Sequence, residues 1–352
     1  MIYSGLIEQY SIDFIIGTPP NRVHKVIDQR SSASILLGEV EVSKFIRSKL
    51  MLGEHNFTYY NNTVKAYLLQ DTISFNDRNK GSVSLMNFQF YYASKYDIAT
   101  MKRESISFGY KINPKGSLTH LLYNNKKISK LSYAFEPSSM FDGILHFGEL
   151  NDTLLKEHPN KGKCDVIDYK DKSEWGCKMS SISIGEQTLQ MNGIDAYFNV
   201  GYYHISVPDY VLRSLVYEIR KYGLCTEYVT MELFSLFCDK NGVDKAGNIT
   251  LGLGNYEYFL NIRSLFDCSR QRCFSLIINE REYKNQVILG NEFLHRFLSI
   301  FDYQNKQVYL LSKENIISRR FPKEKILLLI IVVTILMVID LLYNIIFNLY
   351  NK

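Results

Sequence analysis

The chain has 352 residues, enough for two ordinary lobes with cores of their own. Hydrophobic residues make up 46% and charged ones 22%, a balance that excludes a disordered chain. The net charge of +5 is small for this length and spread along the sequence, so nucleic acid is not an expected partner.

Predicted elements run in chain order as follows. The opening stretch "MIYSGLIEQY" has neither a basic region nor an apolar run, so no signal peptide is expected within it. Over most of residues 1 to 315 the period is that of strands, punctuated by Gly, Asn, Pro and Ser: "SIDFIIG", then "TISFN", "SLMNFQFYY" and finally "QVYLL". Twenty-six tyrosines and 21 phenylalanines fit that reading. Two stretches read as helices instead. "SLTHLLYNN" opens on the N-cap candidate Ser117 and carries a leucine-rich face. "DYVLRSLVYEIRKYG" starts at Asp209 after Pro208, puts Val211, Leu212, Leu215, Val216 and Ile219 on one face, and stops at Gly223.

At the C-terminal end, "ILLLIIVVTILMVIDLLYNIIFNLY" (326–350) has the length and apolarity to span a bilayer, which takes about 20 residues. Asp340 inside it costs roughly 2.5–3.5 kcal/mol on insertion scales, which its apolar neighbours offset. Asp340, Asn344 and Asn348 recur every four residues and share one helix face, read here as a polar edge near the membrane interface. The membrane is therefore an expected partner through this helix.

The six cysteines, Cys164, Cys177, Cys225, Cys238, Cys268 and Cys273, form no CxxC pair and no histidine cluster accompanies them. No metal and no cofactor is expected. Their even number fits disulfides, with free buried thiols the plain alternative. Four N-x-S/T sequons, at Asn56, Asn61, Asn151 and Asn248, suit a secretory setting.

The two halves echo each other. In the first, a strand ends at Asp28 and "SISFGY" (105–110) follows later; in the second, "GIDAYF" leads to Asn199 and "QVILGN" (286–291) follows. Such duplication predicts two similar β lobes with a site between them.

Four segments in order now resemble the pepsin family of aspartic proteases. "YSIDFIIGTPPNRVHKVID" resembles the entry to the family's first lobe, with the family spacing from Gly17 to Asp28. "TYYNNTVKAYLLQDTISF" resembles the flap hairpin, with Tyr59 at the flap tyrosine and Asp71-Thr72 downstream. "HFGELN" resembles the close of the first lobe, and "VILGNEFLHRFLSIFDYQNKQVYLL" (287–311) the C-terminal signature. The resemblance covers roughly residues 5 to 312. It implies an all-β, bilobal fold: an N-terminal lobe over 1–158, a C-terminal lobe over 159–315, a basic linker at 316–325 and the transmembrane helix at 326–350.

The chemistry that the resemblance implies needs two facing carboxylates sharing a proton, one ionised to take a proton from water, the other protonated to donate to the scissile carbonyl. Each normally lies in an Asp-Thr/Ser-Gly triplet. Here the first triplet is Asp28-Gln29-Arg30 and the second Asn199-Val200-Gly201. Pro208, nine residues on, fixes the second alignment, and Asp195 lies four residues too early to substitute. Asn199 cannot ionise or carry a shareable acidic proton. Gln29 and Val200 lack the bracing hydroxyls, and the Arg30 guanidinium favours an ionised Asp28.

The expected protein is thus a membrane-anchored aspartic endopeptidase homologue, catalytically impaired or inactive, with a cleft that holds extended polypeptide. Asp28 is its remaining acid, Asn199 marks the second dyad position, and Tyr59, Gly201 and Arg30 line the binding cleft. An active endopeptidase with an atypical dyad is one alternative; an interaction protein whose cleft is filled, by Arg30 and Tyr60, is another. At the flap, Tyr60, Asn61 and Asn62 replace the usual glycines, and a sugar on Asn56 or Asn61 would sit at the cleft mouth. The resemblance further implies a second-lobe disulfide from Cys238 to Cys273 or Cys268, while Cys164 and Cys177 bracket Trp175 and suit neighbouring strands. Family, cysteines and sequons favour lumenal or extracellular lobes, although Arg319, Arg320, Lys323 and Lys325 before the span would by charge alone put them in the cytosol.

Overall fold

The computed structural model describes residues 11–16, 21–28, 35–38, 50–59, 62–77, 81–94, 105–110, 114–139, 142–168, 174–230, 233–269, 271–280, 285–319 and 334–339. Alternation of apolar and polar residues becomes strands throughout. In the strand Gly81–Ser94, Leu85, Phe88, Phe90 and Tyr92 face the interior, and an extra residue between Leu85 and Phe88, opposite Asp71 and Ile73, keeps that apolar set on one side.

Three sheets result among the described residues. The first, of seven strands, lies wholly in the first half. The hairpin of Ser11–Ile16 on Asn21–Asp28 stands at one end of its order and the three-stranded ribbon Leu50–Tyr59, Asn62–Asp77 and Gly81–Ser94 at the other. Ser11–Ile16 also pairs with Asn62–Asp77, Ile15 opposite Ser74, so the sheet curls back on itself. The third belongs to the second half and carries the paths from Gly176–Ile184 to Ile317–Arg319.

Between them lies a five-stranded sheet that mixes both halves. Its order is Asn160–Asp165, Gln307–Ser312, Leu298–Asp302, Ser132–Pro137, Gly143–Phe147, all antiparallel. Phe301 from the second half stacks on Tyr133 from the first, centroids 4.9 Å apart. Burial of these aromatic faces joins the halves into one apolar core.

Both expected helices form. Leu118–Asn124 starts at Ser117, whose Oγ accepts from His120 N–H at 3.4 Å. Asp209–Arg220 starts where Pro208 predicts and buries all five residues of its apolar face. Among the described residues no helix is long and apolar enough to cross a membrane. Residues 334–339 are helical with exposed apolar side chains, and the rest of the 326–350 segment lies outside the described residues.

All six cysteines are bonded. Cys164–Cys177 joins neighbouring strands, as their position around Trp175 suggests. The second-lobe pairing differs from the implied one: Cys238 bonds Cys225, and Cys273 bonds Cys268. Register allows Cys238 either partner. Cys238 stands opposite Cys225 on one side and Cys273 on the other, and each bond closes within a single hairpin.

Candidate active site

In the second lobe the site grows from the strand Asp195–Phe198, buried at every position. It runs parallel to Val287–Leu289, with Phe198 opposite Leu289. Such a parallel pair needs a long crossover, which here is the chain from the 199–204 loop through most of the second lobe. The strand stops because Asn199 turns the chain. Its side-chain oxygen accepts from Gly201 N–H at 3.0 Å, and its own N–H donates to Leu289 O at 3.1 Å. This is an Asx turn, the local geometry asparagine and aspartate share. Asn199 is 5% exposed.

The loop is pinned from beneath by "LGNE". Asn291 N–H donates to Tyr202 O and Glu292 N–H to Tyr203 O. A Cβ at Gly290 would fall 2.3 Å from the Tyr202 carbonyl oxygen, so only glycine allows this approach. Below it Glu292 is buried, with one oxygen 3.0 Å from the Arg296 guanidinium and the other without a partner among the described residues. Burial pushes its carboxyl up to about 7 against the pull of Arg296. In the 199–204 loop itself, burial lowers the His204 imidazole to about 4.

The first half repeats the arrangement. Asp28 ends the strand Asn21–Asp28, which runs parallel to Ser105–Ser107 with Asp28 opposite Ser107. The two polar residues singled out by the duplication therefore each sit at the end of a strand beside the later apolar segment named with it. Tyr59 ends Leu50–Tyr59 opposite Asn62, at the tip of the hairpin expected for the flap. Gln29, Arg30, Tyr60 and Asn61 lie outside the described residues.

Asp195 opens its strand at the end away from Asn199, with Lys178 Nζ 3.5 Å from its carboxylate. It is a structural ion pair. No group of three or more metal-ligating side chains occurs among the described residues.

Sequence reasoning passed over three residues that the fold brings to this site. Glu292 is legible only as part of the C-terminal signature, and His204 lies in none of the quoted motifs. Trp175, the sole tryptophan, is fully buried, and its indole N–H donates to Phe108 O at 2.7 Å.

Comparison with known proteins agrees with this architecture. The sequence model of the eukaryotic aspartyl protease family matches residues 48–312, a range that includes Asn199 and begins after Asp28. Among solved structures, the crystal structure of aspartic proteinase from Irpex lacteus is similar with a TM-score of 0.67 at 14% identity, over 87% of this chain and 94% of that one. At that identity the likeness concerns the fold.

Proposed function

The chain belongs to the eukaryotic aspartyl protease family, and from that premise we propose that it is a membrane-anchored, pepsin-like homologue that binds extended polypeptide and hydrolyses it poorly or not at all. One observation carries the reading. The side chain that closes the second-lobe turn onto Gly201 N–H is the amide of Asn199. An aspartate in this turn would offer the same acceptor oxygen and also titrate; asparagine keeps the turn and loses the proton. The fold is thus compatible with the substitution while the shared-proton mechanism is not.

The absent hydroxyl at Val200 and the guanidinium of Arg30, two residues after Asp28, support the same conclusion. The test is a pH-resolved cleavage assay of a mixed peptide library with the full chain in detergent. The expected result is no pepstatin-sensitive product from the parent, and product from Asn199→Asp combined with Arg30→Gly. Pepstatin-sensitive cleavage by the parent, lost in Asp28→Ala, would show an active protease with an atypical dyad. Failure of the parent to bind any peptide of the uncleaved library would favour an occluded cleft.

Anchoring rests on the hydropathy of 326–350 and on the exposed apolar side chains of helical residues 335–339. Lumenal or extracellular lobes are supported by three disulfides and the sequons. Protection of the lobes from added protease in sealed microsomes, with an endoglycosidase-sensitive mass, is the expected outcome.

A further inference from the structure

We propose that Trp175 is a positioning residue that ties together the two chain segments ending in Asp28 and Asn199 and holds them at one spacing; this rests on reading those residues as the dyad positions. Trp175 makes one hydrogen bond toward each. Its indole N–H donates to Phe108 O at 2.7 Å, and its own carbonyl accepts from Phe198 N–H at 2.8 Å. Phe108 directly follows Ser105–Ser107, the strand paired with Asp28, and Phe198 directly precedes Asn199. One residue is therefore bonded one step from each partner of the site.

The anchor on the first-lobe side is reinforced. Tyr133 O–H donates to Phe108 O at 3.1 Å, and Tyr303 O–H to Gly109 O at 3.2 Å. Trp175 N–H, Tyr133 O–H and, at 3.5 Å, Tyr303 O–H all converge on the Phe108 carbonyl. The indole itself cannot shift, because Tyr110, Tyr133, Phe301 and Tyr303 surround it with ring centroids 4.7–6.1 Å away. Trp175 is 0% exposed, so the bond is made in a dry, low-dielectric interior where it is strong and its loss is costly. The residue on its C-terminal side, Gly176, is opposite Tyr197 in the sheet, which continues the linkage along the Asn199 strand.

The test is hydrogen exchange read by mass spectrometry on the full chain, parent against Trp175→Phe. Phenylalanine keeps an aromatic ring and removes the N–H. Peptides covering 105–110 and 193–203 are expected to exchange about tenfold faster together, the loss of roughly one buried hydrogen bond. The hairpin 225–239, remote from Trp175 in the sheet order, is expected to stay unchanged. Unaltered exchange, a change in one segment alone, or an equal rise in the hairpin would overturn the proposal. Should Trp175→Phe fail to fold, a benzothienylalanine at 175 preserves the shape without the N–H; parent-like protection of both segments in it would also overturn the proposal. Binding of the uncleaved peptide library by the parent is measured alongside. Its absence would remove the cleft reading and leave the exchange result to decide the linkage by itself.

Discussion

Asn199 and Glu292 show how a single side chain can satisfy the fold and change the chemistry. The Asn199 turn needs an acceptor oxygen two residues before Gly201, and an amide supplies it as well as a carboxylate. Only the acid can share a proton, so Asn199→Asp is expected to fold like the parent and differ in activity. Glu292 presents the reverse case, an acid where burial disfavours charge. Its carboxyl titrates near 7 in the fold against about 4.5 when unfolded, so stability present below 4.5 is lost as pH rises toward 7. Glu292→Gln stays neutral, and its melting temperature minus that of the parent is expected to grow between pH 4.5 and 7. His204 acts in the opposite sense. Its imidazole is neutral in the fold down to about 4, so its contribution is complete above 6.5 and lost as pH falls through 4. A difference curve that is flat with pH would rule out burial of an ionisable Glu292.

At the scale of elements, the helix Asp209–Arg220 illustrates how periodicity, cap and stop signal combine. Five apolar residues at helical spacing are all buried, and Pro208 marks the entry. The helix stops three residues before Gly223 because Lys221 and Tyr222 complete its last turn with backbone donors to Glu218 O and Ile219 O. Leu212 is 0% exposed, and Leu212→Ala is expected to cost about 2–5 kcal/mol in chemical denaturation, with an unchanged m-value. An exposed site on the same helix gives the control: Tyr217→Ala, at 67% exposure, is expected to fall within about 0.5 kcal/mol of the parent. The flap hairpin was legible through the family resemblance, and Tyr59 stands opposite Asn62 at its tip. Disulfide partners were not. Cys238 has a cysteine on both flanking strands, and spacing along the chain carries no information about which neighbour it bonds.

Across the whole molecule, the mixed sheet decides how the halves depend on each other. Ser132–Pro137 bonds Gly143–Phe147 on one side and Leu298–Asp302 on the other. Residues 1–158 expressed alone would lose that second partner and expose Tyr133 and Phe135, now 1% and 2% accessible. Such a fragment is expected to lack cooperative thermal unfolding by circular dichroism, and to regain it when residues 159–352 are supplied. A sharp transition for the fragment alone would show that the first lobe carries its own complete core.

By itself the amino-acid sequence determined that this protein is mainly β, that its two halves are related, that both helices begin where they do, and that Asp28 and Asn199 end comparable strands. Those properties are written in local period, turn chemistry and order along the chain. Tertiary structure alone decided which cysteines pair, that the central sheet is shared, that Glu292 lies dry beneath the second-lobe loop, and that Trp175 bonds toward both candidate strands. Each of these depends on contacts between residues far apart in sequence, and burial, register and hydrogen-bond partners arise only when the strands that carry them come side by side.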